Sequence, residues 1–270
     1  DLHRRRHSFP TRRSSDLGAA IASSVSEAVS LLFFIIYTGT TADKRKYGFR
    51  RAFTLRPHLL KGMLSISGWT MVQSFISVSI WFIFFLAIEH LGERPLAVTN
   101  IVRNISALLI MVISAFATTA GALISNQIGA GEQRCLFKTC GMTLKLTYAI
   151  LIPLLIILCL FPESVLRAFT DSPSLIAASV NSVYVMASST LIMAPSFILF
   201  NAVSGTGNTK AGFIMEMISL AVYTAVIYYG IIRLKPDVAL CWFSEHVYGV
   251  TLIFLAWWYL KSGKWRGKKV

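Results

Sequence analysis

Apolar residues in this chain run in long unbroken stretches instead of alternating with polar ones. Segments such as 151–161 and 214–232 are apolar on nearly all sides, so neither a half-buried strand nor a one-faced surface helix fits them. Several runs reach the ~20 residues that cross a hydrocarbon layer. In lipid each backbone N–H and C=O must be satisfied internally, which leaves helices or a closed barrel. A barrel would need alternating stretches of ~10 residues, and these runs do not alternate. Breaks at charged, Pro and Gly positions predict about seven transmembrane helices, near 18–38, 61–91, 97–128, 140–161, 175–204, 211–232 and 240–260. The second, third and fifth are longer than a minimal crossing and are expected to tilt, kink or project. Pro195, inside the fifth, predicts a kink.

Composition agrees with this pattern. Hydrophobic residues make up 55% and charged residues 14%, against roughly 25% charged in soluble domains. The formal charge of +14 would suggest nucleic acid if its residues formed a surface. They lie in loops and tails, without aromatic interleaving, so the charge reads as membrane topology and contact with anionic lipid. Cys135, Cys140, Cys159 and Cys241 form no CxxC pair and stand near no His at metal spacing, so apolar packing is their expected role.

Residues 1–17 differ from the rest. They carry five arginines and no apolar run, and they lack the apolar centre of a signal peptide. The stretch resembles the translated read-through of a sequencing-library adapter, so it is expected to be a non-native or disordered basic tail and the native protein to extend upstream. The remaining chain divides into a helix at 18–38, a basic linker at 39–61, a six-helix block at 62–260 and a basic tail at 261–270. The linker holds Lys44, Arg45, Lys46, Arg50, Arg51, Arg56 and Lys61, and the tail holds Lys261, Lys264, Arg266, Lys268 and Lys269. Six spans separate them, so both fall on one side, with Arg134, Lys138 and Lys210; the opposite loops offer only Arg94, Arg167, Arg233 and Lys235. The positive-inside rule makes the rich side, and the carboxy terminus, cytoplasmic in a plasma (inner) membrane. Trp257, Trp258, Tyr259 and Trp265 gather at that end of the last span, where aromatic rings anchor at the interface.

Ionisable groups at membrane depth are costly and therefore informative. Glu27 lies about halfway along the first span, Glu216 near the cytoplasmic end of the sixth, and Glu245 near the outer end of the seventh. A carboxyl that alternates between protonated and charged forms is what cation coupling requires; the bland alternative is a neutral acid bonded to a neighbouring Ser or Tyr. Glu216 and Glu245 come from opposite ends, on the order of 10–15 Å apart in depth, and are not expected to pair. Glu89 and Arg103 are placed for a structural salt pair. Trp69 and Gln73 stand one turn apart midway along the second span, and an amide beside an indole suits an amphipathic or cationic solute. Tyr184 and Asn201 are polar positions on the fifth span that could line the same path, although small and hydroxylated residues also serve helix packing.

Two loops carry a resemblance. Gln127-Ile128-Gly129-Ala130-Gly131-Glu132 after the third span and Ser204-Gly205-Thr206-Gly207-Asn208-Thr209 after the fifth resemble loop motifs of the multidrug and toxic compound extrusion family. Their glycines suit tight cytoplasmic turns, and Asn208 and Thr209 can cap the following helix. Together with span order and the long basic loop, the likeness covers 18–265 and matches that family's sixth helix followed by its carboxy-terminal lobe. It implies two six-helix lobes that alternate access to a central cavity, exporting small amphipathic, often cationic solutes in exchange for Na⁺ or H⁺. It also implies an amino-terminal lobe in the same protein and no further cofactor. Members with a second-lobe sodium site use acidic residues in helices corresponding to the second and fifth spans. Neither 64–86 nor 176–204 contains Asp or Glu, so no cation site transfers.

Other readings are weaker. A lipid-linked oligosaccharide flippase of the same broader superfamily would favour basic residues in the cavity, and only Arg103 and Lys145 lie near a span interior. An intramembrane enzyme would need clustered catalytic side chains, whereas His58, His90 and His246 are scattered. The chain as written could also be a fragment that does not transport without its other half.

Overall fold

The computed structural model describes residues 9–41, 57–263 and 265. Regular structure among them is entirely helical, and seven helices are long and apolar enough to cross a membrane: Ile21–Thr41, Leu60–Glu89, Glu93–Gly129, Gln133–Leu160, Pro173–Gly205, Thr209–Arg233 and Val238–Ser262. The protein is thus an all-α, multi-pass membrane protein, with each span within several residues of its expected place. Most of the basic connection expected at 39–61, including Lys44 to Arg56, falls outside the described residues.

The chain divides into two compact units, 1–60 and 61–270. The first holds α1 (Phe9–Thr41), which begins before the span proper and carries Glu27 exposed on its surface. In the second, α2 (Pro57–Glu89) and α3 (Glu93–Gly129) are followed by a 3₁₀ turn at Gln133–Cys135 and α4 (Leu136–Leu160). The short α5 (Pro162–Arg167) leads to α6 (Pro173–Gly205). The remainder is α7 (Thr209–Val226), a π-helical stretch at Ile227–Arg233, the short α8 (Val238–Cys241) and α9 (Ser244–Ser262).

Packing centres on α6, which touches α3, α4, α5, α7, α8 and α9. Lipid gives helices no hydrophobic drive to associate, so close van der Waals approach by small residues must supply it. The α3–α6 crossing shows this directly. A Cβ on Gly121 would stand 2.9 Å from the Asn201 carbonyl oxygen, and one on Gly205 only 2.5 Å from the Gly121 oxygen. Large apolar side chains also remain on the outside, as with Phe75 and Phe82 on α2, 75% and 63% exposed, which suits a surface that meets lipid or other apolar helices. Inside, Ile113, Leu151, Met186 and Trp242 join α3, α4 and α6 to the residue after α8, and Phe84 and Ile88 pack on Tyr223 and Ile227.

Pro195 does not interrupt α6, which runs unbroken from Pro173 to Gly205. A proline cannot donate to the carbonyl four residues before it, here Leu191. The Tyr148 hydroxyl of α4 donates to that oxygen instead, at 2.7 Å. Irregularity appears in the later spans, where the sixth loosens into the π-helical stretch Ile227–Arg233 and the seventh is interrupted between α8 and α9.

The glycine-rich loops divide their labour. Gly131 and Gly207 have φ of 83° and 78°, the left-handed turn region that glycine favours. Gly205 is the last residue of α6 and serves close approach, while Gly129 ends α3 with open space around it. Asn208 caps α7 by accepting from the Ala211 N–H, and its Nδ2 donates to the Tyr259 hydroxyl at 2.6 Å. Two of the expected interface aromatics therefore do other work. Tyr259 holds this turn, and Trp265 is buried, its Nε1 donating to the Leu260 oxygen. Trp257 and Trp258 remain exposed, with Lys261 Nζ 4.6 Å above the Trp257 ring.

Candidate functional site

Within the second unit, faces of five helices line an open-sided cavity of about 650 Å³. Helical periodicity assembles it. From α7 come Glu216, Leu220 and Tyr223, spaced four and three residues apart, and from α9 Glu245, Tyr248 and Leu252, spaced three and four. α2 contributes Ser77, Val78 and Trp81. α3 adds Arg103, Ser106, Ile110, Met111, Ser114 and Thr118, and α6 adds Met193, Phe197, Phe200 and Asn201. The wall is mostly apolar with a few convergent polar groups, the usual make-up of a small-molecule site.

The polar groups form two carboxyl–tyrosine couples that cross between α7 and α9. Glu216 Oε1 accepts from the Tyr248 hydroxyl at 2.9 Å and from Ser77 Oγ at 2.9 Å. Glu245 Oε1 accepts from the Tyr223 hydroxyl at 2.8 Å, with the Trp81 side chain beside it. The two tyrosine rings meet edge to face, their centroids 5.8 Å apart. The helices run antiparallel, so each gives one carboxyl and one tyrosine, and each tyrosine reaches the other helix's acid. Glu216 and Tyr223 lie seven residues apart, about 10 Å along the axis at 1.5 Å per residue. The acids therefore do not meet directly, as their depths imply, but they open on one cavity.

Glu216 is 4% exposed, and its Oε2 is buried without a hydrogen-bond partner. A carboxylate there has lost water on one oxygen, and two hydroxyl donors compensate only the other. Such a group can take up a proton or a small cation at the bare oxygen. The Ser and Tyr partners are also those of a merely structural acid; the unpartnered oxygen is the feature that goes beyond it.

The other expected positions scatter. Asn201 borders the cavity, its Nδ2 donating to the Phe197 oxygen. Trp69 does not; it packs on Phe213 at 5.2 Å with Lys210 Nζ 6.0 Å from its ring. Gln73 is half-buried on α2 and Tyr184 exposed on α6, and neither lines the cavity. Glu27 belongs to the first unit. Instead of pairing with Glu89, Arg103 turns into the cavity, its guanidinium 5.3 Å from the Phe85 ring centre and its Nε buried without a partner. Lys145 is exposed on α4 outside the lining. Tyr223 and Tyr248 carry no motif in the sequence; the only signal for them is spacing, seven and three residues from the two glutamates, which places each on its glutamate's helix face. The cysteines are free thiols, two of them buried, and among the described residues no group of His, Cys, Asp and Glu could hold a metal.

Comparison with known proteins bears on this geometry. The sequence model of the MatE family matches residues 70–229. No curated protein matches the sequence. A MOP superfamily transporter from Pyrococcus furiosus shares the fold with TM-score 0.66 and 14% identity, over 74% of this chain and 44% of its own. A multidrug resistance MATE family transporter of the MOP superfamily, in an outward-facing conformation, gives 0.67 and 14%, over 76% and 46%. A MATE in the straight conformation gives 0.65 and 14%, over 78% and 47%. At such identity the likeness shows the fold, and the chain spans less than half the length of these transporters.

Proposed function

The chain belongs to the MatE family, and on that premise we propose that it is the carboxy-terminal part of a secondary active exporter of small amphipathic solutes, organic cations among them. Alternating access between two lobes moves the solute, and Na⁺ or H⁺ moving inward drives it. Glu216 and Glu245 are the coupling groups of this half, and Glu27 is a further candidate in the first unit. Asn201 lies on the solute path with the aromatic side chains of the cavity. The protein sits in the plasma (inner) membrane with its basic loops and carboxy terminus in the cytoplasm.

The observation that carries the reading is the pair of carboxyls hydrogen-bonded by each other's helix inside one largely apolar cavity. Ionisable groups are kept at such depth at a cost, and cation exchange with a solute is a use for them. The flippase reading has less support, because Arg103 is the one basic residue of the lining. The test is transport by the full-length protein in proteoliposomes. An imposed gradient of H⁺ or Na⁺ should drive tetraphenylphosphonium against its own gradient, and Glu216→Gln with Glu245→Gln should uncouple the two. Gradient-driven movement unchanged in the double variant would remove both residues from the mechanism.

A further inference from the structure

Arg103 is the unexplained charge of this cavity. Its guanidinium rests on Phe85, its Nε has no partner, and the expected ion pair with Glu89 is not made. A guanidinium stays charged under all physiological conditions, and this one, part-buried at the cavity wall with no carboxylate paired to it, is free to act as a counter-charge. The charged and titratable groups facing the cavity are few. α3 contributes Arg103, α7 Glu216 and Tyr223, α9 Glu245 and Tyr248, and α2 and α6 contribute none. The tyrosines are donors to the carboxyls and carry no charge.

The sign of the cavity's charge therefore depends on protonation. With both carboxyls ionised, one guanidinium faces two carboxylates and the cavity is net negative by one charge. With both neutralised by protons, the guanidinium alone remains and the cavity is net positive by one. Two protons thus reverse the cavity's polarity, which two carboxyls without Arg103 would not do.

We propose that Arg103 gives the cavity two binding states of opposite charge, one for an amphipathic cation when Glu216 and Glu245 are ionised and one for an amphipathic anion when both are protonated. The proposal rests on the reading of this cavity as the solute site. For an antiporter it supplies the discharge step: proton uptake removes the attraction for a cation and leaves Arg103 repelling it. It also names a second solute class, an anion bearing an apolar or aromatic body, with Arg103 as its counter-charge and Trp81, Phe197 and Phe200 as its apolar contacts. A unit charge several ångströms away in a partly dry site changes affinity on the order of tenfold or more.

Tetraphenylphosphonium and tetraphenylborate share a shape and differ in sign, so they isolate this effect. Their binding to the detergent-purified full-length protein would be measured by equilibrium dialysis at about pH 3.5 and about pH 9, below and well above the ordinary Glu pKa of about 4.3. The wild type should favour the borate at the acid end and the phosphonium at the alkaline end. Arg103→Gln should weaken the borate by about tenfold at the acid end and strengthen the phosphonium there by relieving its repulsion, and Arg103→Lys should restore the wild-type preference for the borate. Glu216→Gln with Glu245→Gln should bind the borate at both ends. If Arg103→Gln binds both probes as the wild type does, the proposal is overturned. If the wild type binds the phosphonium and never the borate, the anion state falls while the exporter reading stands. If neither probe binds, both readings fall together.

Discussion

Tyr248 on α9 donates its hydroxyl to Glu216 on α7 at 2.9 Å, while Tyr223 on α7 donates to Glu245 on α9 at 2.8 Å. The two helices therefore hold each other through their acids, and a change in protonation at either acid is felt at the helix–helix contact. Ser77 ties α2 to the same Glu216 oxygen, so three helices share one carboxyl.

That sharing predicts a coupled pair of substitutions. Tyr248→Phe and Ser77→Ala each remove one of two donors to Glu216 Oε1, and each should cost about 1 kcal/mol of stability in detergent. The double variant should lose more than the sum, by about 0.5–3 kcal/mol, because the first loss leaves the second donor to bear the whole desolvation. Thermal unfolding of the four proteins checks this, and simple additivity would show that the donors act independently.

Glu216→Gln with Glu245→Gln keeps hydrogen-bond acceptors in place and abolishes ionisation. In the wild type, cation binding should weaken as pH falls, because protons cancel the two carboxylates while Arg103 keeps its charge. The double variant should show a flat pH profile, a loss of coupling on the order of 5–150-fold. Tetraphenylphosphonium affinity against pH is the measurement, and a retained slope would place the titrating group elsewhere.

Glu27 can be separated from this pair by its own substitution. Glu27→Gln in the full-length protein should impair proton-driven efflux without altering the pH dependence of binding that Glu216 and Glu245 confer. Normal efflux and normal pH dependence in that variant would remove Glu27 from the mechanism.

The α3–α6 contact predicts that two glycines four residues or fewer from a chain turn differ sharply. Gly205→Ala puts a Cβ 2.5 Å from the Gly121 oxygen, a backbone atom that cannot swing away, and should destabilise by about 1–3 kcal/mol. Gly129→Ala meets nothing within 4 Å and should change stability by no more than about 0.5 kcal/mol. Thermal unfolding in detergent compares them directly.

Tyr148→Phe removes the donor that serves the Leu191 oxygen opposite Pro195 and should cost about 1 kcal/mol. Adding Pro195→Ala supplies a backbone N–H to the same oxygen, so the double variant should recover much of that loss. Equal destabilisation with and without Pro195→Ala would show that the hydroxyl is not replacing the missing helix bond.

Much of the fold was legible because lipid imposes a coarse constraint. Runs such as 214–232 have to be helical and spanning whatever their neighbours are, and the described residues place all seven spans near their expected positions. The turn glycines were half legible. Gly131 and Gly207 do what loop chemistry predicts, but the close approach at Gly205 depends on Gly121, more than eighty positions earlier, and no local pattern reports it. Pro195 shows the same limit, since the Leu191 carbonyl that it leaves without a helix bond is served by a hydroxyl from α4, a contact that no local pattern reports.

The sequence by itself determined that this is a multi-pass helical membrane protein, which residues are its few intramembrane charges, and which family its loops resemble. These properties follow from solvation of each segment and from local motifs, and they need no knowledge of neighbours. Only the tertiary structure decided that Glu216 and Glu245 open on one cavity, that Arg103 faces it and not Glu89, and that Trp69, Gln73 and Tyr184 lie outside its lining. The physical reason is rotation: a run that is apolar on every side fixes depth along its axis but not the direction each face points, and packing between helices sets that direction.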